Sequence, residues 1–276
     1  MAEIAAPPVS RVLIGEGAES REIAYRFLPA TEAANPAPEK PVPEKPAIVW
    51  LGGYRSDMEG TKALELEGFA RAKGLACLRF DYSGHGISGG AFAEGTISRW
   101  REEAEGVIAA TGIGRMILVG SSMGGWIALR LAEELRRHGQ AERLAGLVLI
   151  APAPDFTSDL IEPQLGEAER RALDEKGYFE EPSAYGPDPY IYTRKLMEDG
   201  RDNRVLTGTI ETGCPVHVLQ GMKDPDVPYA HALKLMEHLA CDDVVMTLIR
   251  DGDHRLSRPE DIERILAAVS AMLTEV

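Results

Sequence analysis

Short, nearly continuous apolar runs recur along the chain, each followed by a polar, glycine-containing break. The runs are Ala47-Ile48-Val49-Trp50-Leu51, Leu75 to Phe80, Met116-Ile117-Leu118-Val119, Ala145 to Ile150, Pro215 to Gln220 and Val244 to Ile249. Apolarity without alternation is the mark of strands buried on both faces. Between them, residues 60–73, 97–110, 125–137, 228–240 and 259–274 carry apolar side chains three and four positions apart, as Ala63, Leu66, Phe69 and Ala70 do, and predict helices. Strand and helix in alternation predict an α/β fold with a mostly parallel, doubly wound sheet. The pattern is broken twice. Residues 11–14 and 22–28 read as an antiparallel hairpin turning at Gly15-Glu16-Gly17, and the Pro-, Ala-, Glu- and Lys-rich stretch 29–46 as an exposed connector. Residues 153–210 hold no strong parallel strand and predict short helices at 166–176 and 187–199. The expectation is a single domain over 1–276 with 153–210 inserted as a small helical cap over the carboxyl edge of the sheet. Half of the eight tyrosines lie in that insertion (Tyr178, Tyr185, Tyr190, Tyr192); most of its rings should pack it down, and the few facing the cleft would form an acyl or aryl pocket.

The break after the Met116–Val119 run is Gly120-Ser121-Ser122-Met123-Gly124, and an amphipathic helix follows it. A bare G-x-S-x-G is common, but strand, G-x-S-x-G and helix together are the form of a nucleophile elbow. A serine on so tight a turn projects its hydroxyl above the sheet, and bulky residues two positions to either side would collide. Ser122 is therefore the candidate nucleophile, Ser121 a turn residue, and the backbone N–H of Met123 an oxyanion donor at the helix N-terminus. Gly52-Gly53 directly after a central strand lets the backbone turn its N–H groups toward the same edge. A plain turn would look the same, but with the elbow downstream the Tyr54 N–H is assigned as the second donor. Arg55, Asp57 and Lys62, in that loop and the helix after it, read as surface charges or loop ties, with substrate contact by Arg55 as the alternative.

An acid belongs on the loop leaving the strand after the insertion, and a base on the loop after the last strand. Asp224 of Gly221-Met222-Lys223-Asp224-Pro225-Asp226-Val227-Pro228 fits the acid; Asp226 is its rival, though placed to tie the next helix's N-terminus. His254, in Arg250-Asp251-Gly252-Asp253-His254, fits the base. The other histidines have structural explanations: His217 alternates with apolar residues in a strand, His138 ends a helix in a basic turn, and His231 and His238 lie on a helix.

The 276-residue chain carries a net charge of −14, which repels nucleic acid and anionic membrane surfaces. No apolar stretch is long enough to span a bilayer. The N-terminal residues resemble neither a secretory signal nor a transit peptide, and Cys77, Cys214 and Cys241 are too scattered for disulfides or a metal site, so a cytoplasmic location is expected. Neither cofactor nor metal is expected. The residues point to a serine hydrolase of carboxylic esters or thioesters acting on small-molecule acyl substrates. Peptide or C–C bond hydrolysis, or ligand binding without catalysis on the same scaffold, are the alternatives.

The order Ser122, Asp224, His254 and the elbow resemble the α/β-hydrolase superfamily over nearly the whole chain. Within it, Gly60-Thr61-Lys62-Ala63, Ala76 to Gly84, Gly120 to Trp126, Gly221 to Asp224 and Asp253-His254-Arg255 are similar to the mitochondrial abhydrolase-domain palmitoyl-protein thioesterases, which also cleave acyl glucuronides. The resemblance implies that Ser122, Asp224 and His254 hold the family's triad positions. It also implies that Asp81-Tyr82-Ser83-Gly84-His85-Gly86-Ile87-Ser88 serves backbone geometry beneath the site, leaving His85 structural. Gly52 stands where the family has proline and the cap matches weakly, so the chemistry transfers further than the substrate.

Overall fold

The six apolar runs share one sheet with helices on both faces; the first five are buried nearly throughout, whereas the last, at the sheet edge, buries Ile249 and leaves Val245 and Leu248 exposed. The computed structural model describes residues 6–31, 45–182, 189–239 and 243–274. Its strands are β1 (Val9–Ile14), β2 (Arg21–Leu28), β3 (Ala47–Leu51), β4 (Cys77–Phe80), β5 (Met116–Ser121), β6 (Leu144–Ile150), β7 (Tyr178–Glu181), β8 (Tyr190–Thr193), β9 (Val216–Gly221) and β10 (Val244–Ile249). Eight of them form one sheet in the order β1-β2-β4-β3-β5-β6-β9-β10. The expected hairpin β1–β2 is antiparallel and joins β4 antiparallel; every later pairing is parallel. The parallel strands therefore all end at one edge, where an open α/β sheet binds ligands.

The helices are α1 (Thr61–Lys73), α2 (Ile97–Thr111), α3 (Met123–Arg137), α4 (Glu167–Glu175), α5 (Arg194–Asp202), α6 (Tyr229–His238) and α7 (Pro259–Thr274). One face of the sheet packs on α2, α3 and α6 through Trp100, Trp126, Leu129 and Leu235. The other packs on α1 and α7 through Leu66, Ala70, Ile265 and Val269. Fully burying a side chain the size of Leu66 or Val269 contributes about 1.5–3 kcal/mol. Among the described residues no helix is long and apolar enough to cross a membrane.

The segment between β6 and β9 differs from its expected all-helical form. The helix predicted over 187–199 begins only at Arg194; residues 190–193 are β8, paired antiparallel with β7 from Tyr178↔Thr193 to Glu181↔Tyr190. Tyr-Ile-Tyr-Thr is aromatic and β-branched, a composition that favours strand. The Thr193 hydroxyl then caps α5 by accepting the Leu196 N–H at 3.1 Å. Residues 183–188, most of the connector (32–44) and Cys241 lie outside the described residues. A π-turn (Thr157–Ile161) and a 3-10 turn (Glu162–Gln164) precede α4. The segment is tied back at its start by Asp155, a fully buried carboxylate that accepts the Val205 and Leu206 N–H groups at 2.8 and 2.9 Å.

Candidate active site

Between the end of β5 and the start of α3 stands Ser122, with φ 54° and ψ −117°. For a non-glycine residue this conformation costs about 1–3 kcal/mol. Backbone hydrogen bonds hold it: the Ser122 N–H donates to Ile150 O at 2.9 Å, and its carbonyl accepts from Gly125 and Ala153 at 2.9 and 3.1 Å. A methyl on Gly120 would lie 2.4 Å from the Gly124 carbonyl oxygen, and one on Gly124 would lie 2.0 Å from that of Leu51. Close backbone approach thus requires both glycines.

The parallel register Ile249↔Gly221 sets the ends of β9 and β10 side by side, so their loops meet over β5. Ser122 Oγ–H donates to His254 Nε2 at 3.1 Å, and His254 Nδ1–H donates to Asp224 Oδ2 at 2.8 Å. The carboxylate can only accept, which fixes the tautomer. The Asp224 side chain is fully buried. Its Oδ1 accepts the N–H groups of Asp226 and Val227 at 2.9 and 2.8 Å, and Oδ2 also accepts from Gln220 Nε2 at 3.1 Å. Asp224, not its neighbour, therefore bonds to the imidazole; Asp226 gives a main-chain N–H and sets its exposed carboxylate on the cleft rim, within 4.8 Å of a His254 ring nitrogen. Nothing local in the sequence marks Gln220, a strand-end glutamine, as a partner of the acid.

The Gly53–Ser56 turn abuts the elbow: a methyl on Gly53 would stand 3.3 Å from Ser121 O and 3.4 Å from Ser122 Cβ. Among the described residues neither the Tyr54 nor the Met123 N–H donates to a backbone carbonyl. The turn is closed by Ser56 N–H on Gly53 O at 3.2 Å. Below it, Arg55, at φ 57°, donates its N–H to His85 Nε2 at 3.1 Å. Above it, the Tyr54 hydroxyl donates to the Ile191 carbonyl and the ring stacks on Tyr192 at 5.5 Å and 8°. The Arg55 guanidinium donates to the Pro189 carbonyl. Asp81 braces the loop carrying His85, accepting from Met58 and Ile87 N–H at 2.7 and 2.9 Å. Buried Glu103 accepts from Ser83 N–H at 2.8 Å.

Two lobes open from Ser122. One, of about 280 Å³, is walled by Met123, Phe156, Leu160, Ile161, Tyr190 and Tyr192, with Gln164, Glu181 and Asp226 at its polar margin. The other, of about 380 Å³, is walled by Trp50, Arg55, Ser56, Lys62, Arg255 and Ser257. Burial, with the Arg255 guanidinium, pulls the Lys62 ammonium down to about 8. Of the insertion's rings, Phe156, Tyr190 and Tyr192 reach the cleft, Phe179 is buried, and Tyr178 faces solvent; Tyr185 lies outside the described residues. His217, His231 and His238 lie away from Ser122, bonded to Thr247, Pro154 and Gly208.

The profile of the alpha/beta hydrolase family matches residues 48–265. The chain is 32% identical over 251 residues to the human palmitoyl-protein thioesterase ABHD10, mitochondrial, a match covering 91% of this chain and 80% of that one. Among solved structures it resembles a putative hydrolase from Agrobacterium vitis S4, at 58% identity and TM-score 0.90 over 96% of this chain and 98% of the other. It also resembles alpha/beta hydrolase domain-containing protein 10 from mouse, at 29% identity and TM-score 0.80 over 96% and 99%. The thioesterase resemblance noted in the sequence is thereby borne out. The cytoplasmic expectation is overturned, because the curated relatives are named mitochondrial. Buried thiols such as Cys77 and Cys214 suit any reducing interior and do not single out the cytoplasm. The matched profile spans most of the chain, including Ser122 and His254, and the chain belongs to the alpha/beta hydrolase family.

Proposed function

We propose that this protein is a cofactor-free serine hydrolase that cleaves carboxylic esters and thioesters of small molecules through an acyl-enzyme on Ser122. The observation that carries the reading is the unbroken relay Ser122 Oγ–His254 Nε2 and His254 Nδ1–Asp224 Oδ2, at 3.1 and 2.8 Å. His254 takes the serine proton as the hydroxyl attacks the acyl carbonyl. Asp224 holds the tautomer and stabilises the imidazolium. The Tyr54 and Met123 N–H groups receive the tetrahedral oxyanion; losing one such donor costs about 3–4 kcal/mol of barrier. His254 then protonates the departing alkoxide or thiolate and activates the water that frees the acid. The chain is read as one hydrolase domain whose segment 153–210 caps the serine, with the aromatic lobe taking the acyl group and the polar lobe the leaving group. The names of the thioesterase relatives support thioesters within this range.

The test is hydrolysis of p-nitrophenyl esters by the native protein and by Ser122→Ala, followed by a panel of acyl esters, acyl thioesters and peptides. Turnover of esters and thioesters, lost in Ser122→Ala, is expected. Undiminished hydrolysis by that variant contradicts the reading, and cleavage confined to peptides would move the protein to a different hydrolase class.

A further inference from the structure

The loop Asp81 to Ser88 contains a buried histidine that the acyl-transfer steps do not use. His85 is only 3% exposed. Its ring is gripped by Tyr82, Phe92 and Trp100, with centroids at 5.8, 5.0 and 5.3 Å. Nδ1 stands 3.1 Å from the Ser83 carbonyl oxygen, which also accepts the Trp100 indole N–H at 3.3 Å. A carbonyl oxygen has no proton to give, so Nδ1 carries the hydrogen and Nε2 keeps its lone pair. That lone pair accepts the Arg55 N–H at 3.1 Å. Arg55 follows Tyr54 directly and sits at φ 57°, a region that a branched-chain or long side chain rarely adopts without a specific tie. Burial pushes the imidazole down to about 4, so the acceptor stays unprotonated at neutral pH.

We propose that His85 is a positioning residue for the oxyanion: by accepting the Arg55 amide from beneath, it holds the Gly53–Ser56 turn in the conformation that aims the Tyr54 N–H at the reacting carbonyl. His85 touches no substrate and exchanges no proton during turnover. Its action is geometric, through one acceptor atom. The inference rests on the acyl-transfer reading given above, and it adds a residue on which the oxyanion donor's aim depends.

The experiment compares His85→Leu, His85→Asn and His85→Gln. Leucine offers no acceptor. The asparagine oxygen falls short of Arg55, and the glutamine oxygen stands as many bonds from Cβ as Nε2 does. Active sites are first titrated with a fluorophosphonate, so that poor folding lowers the titre and not the rate per site. Then kcat and KM for p-nitrophenyl butyrate and the Ki of a trifluoromethyl ketone, which forms a tetrahedral adduct, are measured. The expected result is a fall in kcat per titrated site of roughly 10- to 100-fold for the leucine and asparagine variants. KM stays nearly constant, the ketone Ki rises by the same factor, and glutamine restores most of both. If leucine does not fold, the asparagine–glutamine pair decides alone. Native per-site kcat and Ki in the leucine and asparagine variants would overturn this proposal while leaving acyl transfer standing, and so would a glutamine variant as impaired as asparagine. A native protein that refuses both fluorophosphonate and ester would bring down acyl transfer and this proposal together.

Discussion

The two walls of the cleft are held by different kinds of contact. On the sheet side, the candidate reacting groups sit on strand ends and tight turns held by hydrogen bonds: Ser122 through Ile150, Gly125 and Ala153, and Asp224 through Asp226, Val227 and Gln220. On the side of residues 151–215, hydrogen bonds such as those of Asp155 anchor the segment, but the surface it turns to the cleft is made by rings leaning on rings. Tyr192 stacks on Tyr54, and Phe156 packs edge-on to Trp126 at 5.5 Å. Directional bonds fix atoms closely, whereas ring packing fixes a surface and tolerates exchange. The first wall suits chemistry that fails when a reacting atom moves by about an ångström. The second suits a boundary that sets which acyl group fits. Tyr54 belongs to both, lining the cleft with Ser122 and setting its ring and hydroxyl against β8.

If this division holds, damage to the sheet wall is large and independent of substrate. Asp224→Asn, which keeps the shape and loses the charge, should lower kcat by about 10⁴-fold on every ester, as expected when a histidine loses its tautomer-fixing acid. Asp226→Asn keeps the Asp224–His254 bond and removes only an exposed carboxylate within 4.8 Å of the ring, so it should stay within about 10-fold of native kcat. Equal losses in the two variants would break the assignment.

A second test concerns the loop beneath the sheet wall. His85 is pushed from 6.5 to about 4 by burial. A histidine held neutral in the fold stabilises it fully above the unfolded value of 6.5, and that stability is lost as pH falls through about 4. The difference corresponds to roughly 3 kcal/mol. His217 and His231, also lowered by burial, act with the same sign. Urea unfolding at pH 7 and pH 4.5 should show the decline, and His85→Gln should flatten its slope by about one proton's worth. An unchanged slope would mean that His85 is not held neutral.

Changes to the aromatic wall should be smaller and selective. Leu160→Ala enlarges the aromatic lobe and, if that lobe takes the acyl group, should shift the ratio of kcat/KM between hexanoate and acetate esters by roughly 10-fold, the scale of a methylene or two in an apolar pocket. Uniform loss across chain lengths would argue that this wall shapes the machinery itself.

The same division governs what could be read from the chain. The elbow was legible because its constraint is local: Gly120 and Gly124 are demanded by backbone atoms a few residues away or on the adjacent strand. That Asp224 and His254 meet beside Ser122 was legible because topology delivers the loops after β9 and β10 to one edge. The β7–β8 hairpin was not, since two four-residue strands separated by eight residues carry too little periodicity, and Tyr190–Thr193 runs straight into a helix. The link from His85 to Arg55 was also hidden. It depends on two loops 30 residues apart meeting in space, and a loop histidine shows no sign of which backbone N–H it will accept.

The most direct test of the account is to trap the intermediate. Mixing the native protein with a p-nitrophenyl ester, quenching in acid within the first turnover and measuring intact mass and peptides should reveal one acyl group per chain, on Ser122, and none in Ser122→Ala. A burst of p-nitrophenol with no adduct, or an adduct on any other residue, would contradict it.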